Sequence, residues 1–240
     1  TAGWWWSIDA HDLDNDGDED YILGNMGLNY KFRASQEEPL ELFIGDFDGN
    51  DRFDFVIGYH QDGKIYPTAD KTKTVTQHPF LKRKIPSHDA YAVFTLIDIY
   101  GAELLEKAEN RKIYRMESGY LENKGNGTFL FKAFDNYAQI STVNSSLIRD
   151  VDRDGNFDLI LAGNLYNTEA ETIRLDAGIG VWMKGDGKGN FKSTSFSKSG
   201  LYLEGDVRAL RMVMAHDRPL LLAAKNNDLI QLIGFKNPLN

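Results

Sequence analysis

The chain has 240 residues, a net charge of −9, 42% hydrophobic and 26% charged residues, and no cysteine. That length allows one large β-domain or two small ones with a substantial core, and the composition excludes extended disorder. The missing cysteine excludes a disulfide scaffold, thiol catalysis and cysteine-held zinc, and no apolar run is long enough to predict a membrane span.

The negative charge is concentrated. Segments 12–20, 46–54 and 150–158 hold six, four and four acidic residues; without them and their two arginines, 22 acidic face 25 basic side chains. Acidity gathered in three places points to cation sites rather than a general solubilising surface. Nucleic acid is not expected as a partner, because phosphate binding needs a basic field. The first residues, Thr1-Ala2-Gly3-Trp4, carry neither a basic n-region nor an apolar h-region, so a signal peptide is expected to be already removed.

In chain order, a strand-like run Trp4 to Ile8 leads to Asp12-Leu-Asp14-Asn-Asp16-Gly17-Asp18-Glu-Asp20 and a second run, Tyr21 to Asn25. The pattern returns with Leu42 to Gly45, the loop Asp46-Phe-Asp48-Gly49-Asn50-Asp51-Arg52-Phe-Asp54, and Phe55 to Tyr59. From about 79 to 110 the rhythm changes. Phe94, Ile97, Leu104, Leu105 and Ala108 fall near helical spacing, with Ser87 as N-cap and Asp89 in the first turn, predicting a helical insertion over a sheet edge or end. Glu122 to Phe129 and Met183 to Phe191 are Gly-rich hairpin turns. Between them lies the third unit: Ser146 to Arg149, the loop Asp150-Val-Asp152-Arg-Asp154-Gly155-Asn156-Phe-Asp158, and Leu159 to Asn164. Val207 to Ala215, Leu220 to Ala224 and Leu229 to Phe235 read as three closing strands without an acidic loop. Repetition of this kind predicts an all-β propeller, solenoid or array of about four units.

Aspartates at loop positions one, three and five put carboxylates on alternate residues, and glycine at six permits a sharp turn. A calcium ion takes six to eight such oxygens. The expected ligands are Asp12, Asp14, Asp16, the Asp18 carbonyl and Asp20; Asp46, Asp48, Asn50, the Arg52 carbonyl and Asp54; and Asp150, Asp152, Asp154, the Asn156 carbonyl and Asp158. An EF-hand needs glutamate at position twelve between helices, but Leu23, Ile57 and Leu161 stand there in strand-like runs. Magnesium prefers to keep its waters, and His11, His60, His78, His88 and His216 lack zinc spacing. A single acidic turn could be merely solvated; three in register predict two to three calcium ions. Loop two is expected to be weakest, since Asn50 is neutral and Gly49 comes early, leaving Asp51 at position six.

The D-x-D-x-D-G-x-x-D loops followed by an apolar-Gly-Asn segment resemble the FG-GAP or VCBS repeat family. That family includes the integrin α-subunit propeller and bacterial proteins similar to cartilage acidic protein. Tyr120 to Phe129, Ala138-Gln139, the third loop and Gly163-Asn164 are especially similar to the bacterial members. The resemblance implies four-stranded blades around an axis, usually about seven, with residues 1–240 forming about four units, either a small propeller or, as favoured, part of a larger one. Asp51 and the loop-free last unit depart from its pattern.

No nucleophile elbow, P-loop, metalloprotease helix or dinucleotide fingerprint is present. His11 and His60 read as surface or packing residues, and Trp4-Trp5-Trp6 as a sugar-stacking platform or, if they lie in a strand, as blade packing. The expectation is therefore a non-enzymatic, extracytoplasmic calcium-binding module for a protein or glycan ligand in cell-surface adhesion. A propeller lyase or hydrolase acting on polysaccharide is the alternative, and an architectural piece of a multidomain surface protein is a third reading.

Overall fold

The computed structural model describes residues 2–168, 172–216 and 218–236. The chain divides into two compact units, Thr1–Gly3 with Lys31–Arg115, and Trp4–Tyr30 with Met116–Asn240. Among the described residues the structure is mostly β, with four antiparallel sheets and few helices. No helix among them is long and apolar enough to cross a membrane.

The larger unit opens with β1 (Ser7–His11) and β2 (Asp20–Gly24), antiparallel across the first acidic loop. The strand starts later than the apolar run suggested. Trp4, Trp5 and Trp6 precede β1 and are each half-buried, against Tyr30, Phe131 and the Arg208 guanidinium.

Residues 31–115 then form the smaller unit. Strands β3 (Leu40–Gly45) and β4 (Asp54–Gln61) flank the second acidic loop, and β5 (Lys64–Pro67) pairs with β4. Helices α1 (Lys71–Gln77), α2 (His88–Tyr91), α3 (Leu96–Tyr100) and α4 (Ala102–Lys107) follow, with a 3-10 turn at Pro79–Arg83. Strand β6 (Glu109–Ile113) returns to the far side of β3, giving the order β5-β4-β3-β6.

The helical region is thus wider than 79–110 and broken into short pieces. Its start is capped by Asp70, which accepts from Lys73 N. The polar run Lys71 to Thr76 carries no apolar period that could announce a helix. Pro79, Pro86 and the positive φ of Gly101 interrupt the rest. Ser87 caps α2 with Asp89 in its first turn, as expected. Ile97, expected inward, is 61% exposed, whereas Leu96 and Ile99 are buried. Together with Leu81, Ile85 and Tyr100 they pack on Phe43, Phe47 and Val56, so the helices cover a face of the sheet rather than its edge.

The chain re-enters the larger unit at β7 (Gly119–Asn123), which pairs with β2, and β8 (Phe129–Ala133), completing the sheet β1-β2-β7-β8. The third acidic loop joins β9 (Ser145–Arg149) to β10 (Asp158–Ala162), and β11 (Val181–Gly185) and β12 (Phe191–Thr194) finish an unbroken meander. After α5 (Phe196–Ser199), β13 (Val207–Ala215), β14 (Arg218–Lys225) and β15 (Gln231–Gly234) make a three-stranded sheet. Both Gly-rich segments are hairpin turns: Lys124 N donates to Thr128 O at 2.8 Å and Asp186 N to Asn190 O at 3.2 Å.

Strand β10 carries the packing of this unit because both of its faces are covered. Leu159 and Leu161 join Ile22, Tyr120 and Met183, while Ile160 and Ala162 join Leu203, Leu210 and Leu221. Each fully buried leucine or isoleucine stabilises the fold by about 1.5–3 kcal/mol. The first strands of the three sheets also meet: Ser146 of β9 donates to Asp9 of β1, and Leu210 N of β13 donates to Ser145 Oγ at 3.0 Å.

The Gly-Asn pair after the acidic loop has a structural role. Asn25 and Asn164 are fully buried. The Asn25 N–H donates to Ser118 Oγ at 2.9 Å, and Asn164 Nδ2 donates to the carbonyls of Gly178 and Gly205, each at 2.9 Å. The preceding glycine lets another chain segment approach: a Cβ on Gly163 would lie 1.8 Å from Thr142 O.

Candidate metal centres

The three loops share one backbone solution. Positions four and six have positive φ in each: Asn15 and Gly17, Gly49 and Asp51, Arg153 and Gly155. Gly49 is therefore well placed at position four, and loop two has exchanged its glycine between two left-handed positions rather than misplaced it. The position-six N–H donates to the first aspartate, from Gly17 to Asp12 at 3.1 Å, Asp51 to Asp46 at 2.8 Å and Gly155 to Asp150 at 3.0 Å. The position-two N–H donates to the ninth residue, from Leu13 to Asp20 at 3.0 Å, Phe47 to Asp54 at 3.1 Å and Val151 to Asp158 at 3.0 Å.

These bonds bring positions one, three and nine together. Asp12, Asp14 and Asp20 form one cluster, Asp46, Asp48 and Asp54 a second, and Asp150, Asp152 and Asp158 a third, each with ligand oxygens within 4.8 Å of one another. Asp16 and Asp154 lie outside these clusters, and each accepts the N–H two residues on, from Asp18 and Asn156, at 2.9 Å. Asn50 accepts likewise from Arg52 at 2.9 Å.

Two features favour a cation at the clusters. Asp12 Oδ1 and Asp48 Oδ1 are buried and accept no hydrogen bond among the described residues, a costly state for a carboxylate oxygen. Burial, then the charges of Asp20 and Asp16, raise the Asp14 carboxyl above the usual range; burial raises Asp158 despite N–H bonds from Gly185 and Val151. At Asp46 burial also works upward, but N–H donors from Asp51, Asn50 and Gly49 outweigh it and hold that carboxyl low.

Residues outside the loops complete each site, and sequence spacing did not reveal them. Asp20 accepts from the Tyr120 hydroxyl at 2.7 Å and from Asn123 N at 2.9 Å. Asp158 accepts from Gly185 N at 2.9 Å. His78, fully buried, places Nε2 3.2 Å from Asp54 Oδ2 while its Nδ1 meets the Tyr100 hydroxyl at 3.1 Å. Lys184 Nζ lies on Asp152 and 2.9 Å from Asp154 Oδ2, and its pKa is raised by these two carboxylates.

His11 packs against Phe157 with the rings tilted, and His60 Nε2 lies 2.9 Å from the buried Glu41, so both have partners within the fold. Beside loop three, a groove of about 420 Å³ is lined by Asp152, Arg153, Trp182, Lys198 and Phe235, among others. No protein-family model matches the chain, and neither a curated protein nor a solved structure matches it.

Proposed function

We infer that the three loops are calcium sites and that the chain is a calcium-stabilised propeller module, working outside the cytoplasm, that binds a protein or glycan ligand at the cell surface. The observation that carries this reading is the convergence of three carboxylates in each of three loops built on the same hydrogen bonds. The donors are all oxygens, as a hard cation requires, and the carbonyls of Asp18, Arg52 and Asn156 with water would raise the count toward six to eight. Magnesium fits less well because it keeps most of its waters. Millimolar calcium, sufficient even for a weak loop, is an extracellular condition.

The propeller reading draws support from the meeting of β1, β9 and β13 and from β10, which is covered on both faces as an inner blade strand would be. A ring of about seven blades would need further sheets of this kind. The groove at Trp182 offers an aromatic face with Arg153 and Lys198 beside it, a combination suited to an acidic sugar or carboxylate.

Calorimetric titration of the chelator-stripped chain tests the metal reading. Calcium should bind at two to three sites, and magnesium at equal concentration should not replace it. Absence of calcium binding would sink the reading. A glycan array, run with calcium, tests the ligand, and a rise in ultraviolet absorbance with acidic polysaccharide would mark a lyase instead.

A further inference from the structure

Glu122 and Lys184 stand at equivalent places beside two of the loops. Each lies one residue beyond the partner of the first strand residue after the loop: Tyr21 pairs with Leu121, and Leu159 with Met183. The next residue in each strand, Asn123 or Gly185, donates its N–H to the ninth aspartate at 2.9 Å. The two sites thus share a frame, and the charge of this flanking side chain is one of the differences between them.

In loop one, Glu122 pairs with two lysines, Lys124 at 2.8 Å and Lys132 at 3.0 Å. Beside loop three, Lys184 itself takes the equivalent place. The Lys184 ammonium lies directly on Asp152, a member of the carboxylate cluster, and on Asp154. An ammonium carries one charge and three donors, so it neutralises the pair only in part and is exchangeable for a divalent ion.

We propose that Lys184 is the resident counter-cation of loop three, which a divalent ion must displace from Asp152 and Asp154, making loop three a weaker site than loop one. This rests on the calcium reading of the loops. It moves loop three below loop one, although their ligand sequences offer the same carboxylates. Occupation by calcium releases the Lys184 ammonium from the loop; removal of calcium returns it. The side chain therefore sets the calcium concentration at which loop three fills.

Calcium titration of the nitrogen-15-labelled full chain, read at the Gly17 and Gly155 amides, follows loops one and three separately. Gly155 should saturate after Gly17 in the wild-type chain. Lys184→Met should lower the Gly155 midpoint about tenfold or more, and Lys184→Glu further, with Gly17 unchanged. Lys192, which pairs with Lys184 across β11 and β12, provides a control of equal charge. Lys192→Met should shift Gly155 much less. Responses at both glycines with no Gly155 shift in Lys184→Met would overturn the proposal and leave the calcium reading standing. An equal shift in Lys192→Met would also overturn it, by reducing the effect to general charge. No response at either glycine in the wild-type chain would overturn both.

Discussion

Tyr120 donates a 2.7 Å hydrogen bond to Asp20 across 100 residues of sequence, so the last aspartate of loop one is held by a strand that arrives only after the smaller unit is complete. The hydroxyl is buried, and its proton is held tightly, because burial and the neighbouring Asp20 charge raise its pKa. Tyr120→Phe should cost about 1–2 kcal/mol in urea unfolding under chelator. It should also weaken calcium at loop one while leaving loop three alone. An unchanged Gly17 titration would show that Asp20 needs no such support.

Positions one and nine of a loop should respond differently to asparagine. Asp158 accepts N–H bonds on both oxygens and is fully buried, so Asp158→Asn loses one acceptor and should cost about 1–3 kcal/mol without calcium. Asp12 has a buried oxygen with no hydrogen bond, beside two other carboxylates. Asp12→Asn should therefore change stability in chelator by less than about 0.5 kcal/mol while abolishing calcium at loop one. Equal losses from both substitutions in chelator would contradict this division of roles.

Two glycines separate close approach from backbone conformation. Gly163→Ala drives a Cβ into Thr142 O and should cost about 3 kcal/mol or more. Gly155→Ala meets open space but must keep a φ near +90, and should cost about 1 kcal/mol. Thermal melts of the two variants that coincide would refute the distinction.

In the smaller unit, Glu41 gives a pH signature. Burial works to raise its pKa, but hydrogen bonds from Asn110 and His60 and the Lys112 charge hold it below the ordinary glutamate value. A lowered folded pKa contributes stability above the unfolded value, and that stability is lost as pH falls through the lowered one. Glu41→Gln should therefore flatten the acid limb of the stability profile. A limb as steep as in the wild-type chain would place the titration elsewhere.

The acidic loops and the strands beside them were legible because aspartate spacing and apolar runs are local signals. The closing strand Val207 to Ala215 was equally plain. The break in the first sheet was not, since β2 and β7 pair across the whole smaller unit and no local pattern announces a partner so far away. Separation in sequence also hid His78, Tyr120 and Lys184, each carried to its loop by another element. Helix α1 was missed because its sequence is polar, and Ile97 was turned inward by a periodicity that the helix breaks interrupt.

Thermal unfolding in calcium and in excess chelator tests the central claim most directly. A ligand that binds only the folded state stabilises it by about 2.7 kcal/mol per site at a hundredfold excess over Kd. Two or three occupied loops should raise the melting temperature by many degrees in calcium, and magnesium should reproduce little of that rise. Identical melts in calcium and in chelator would contradict the account.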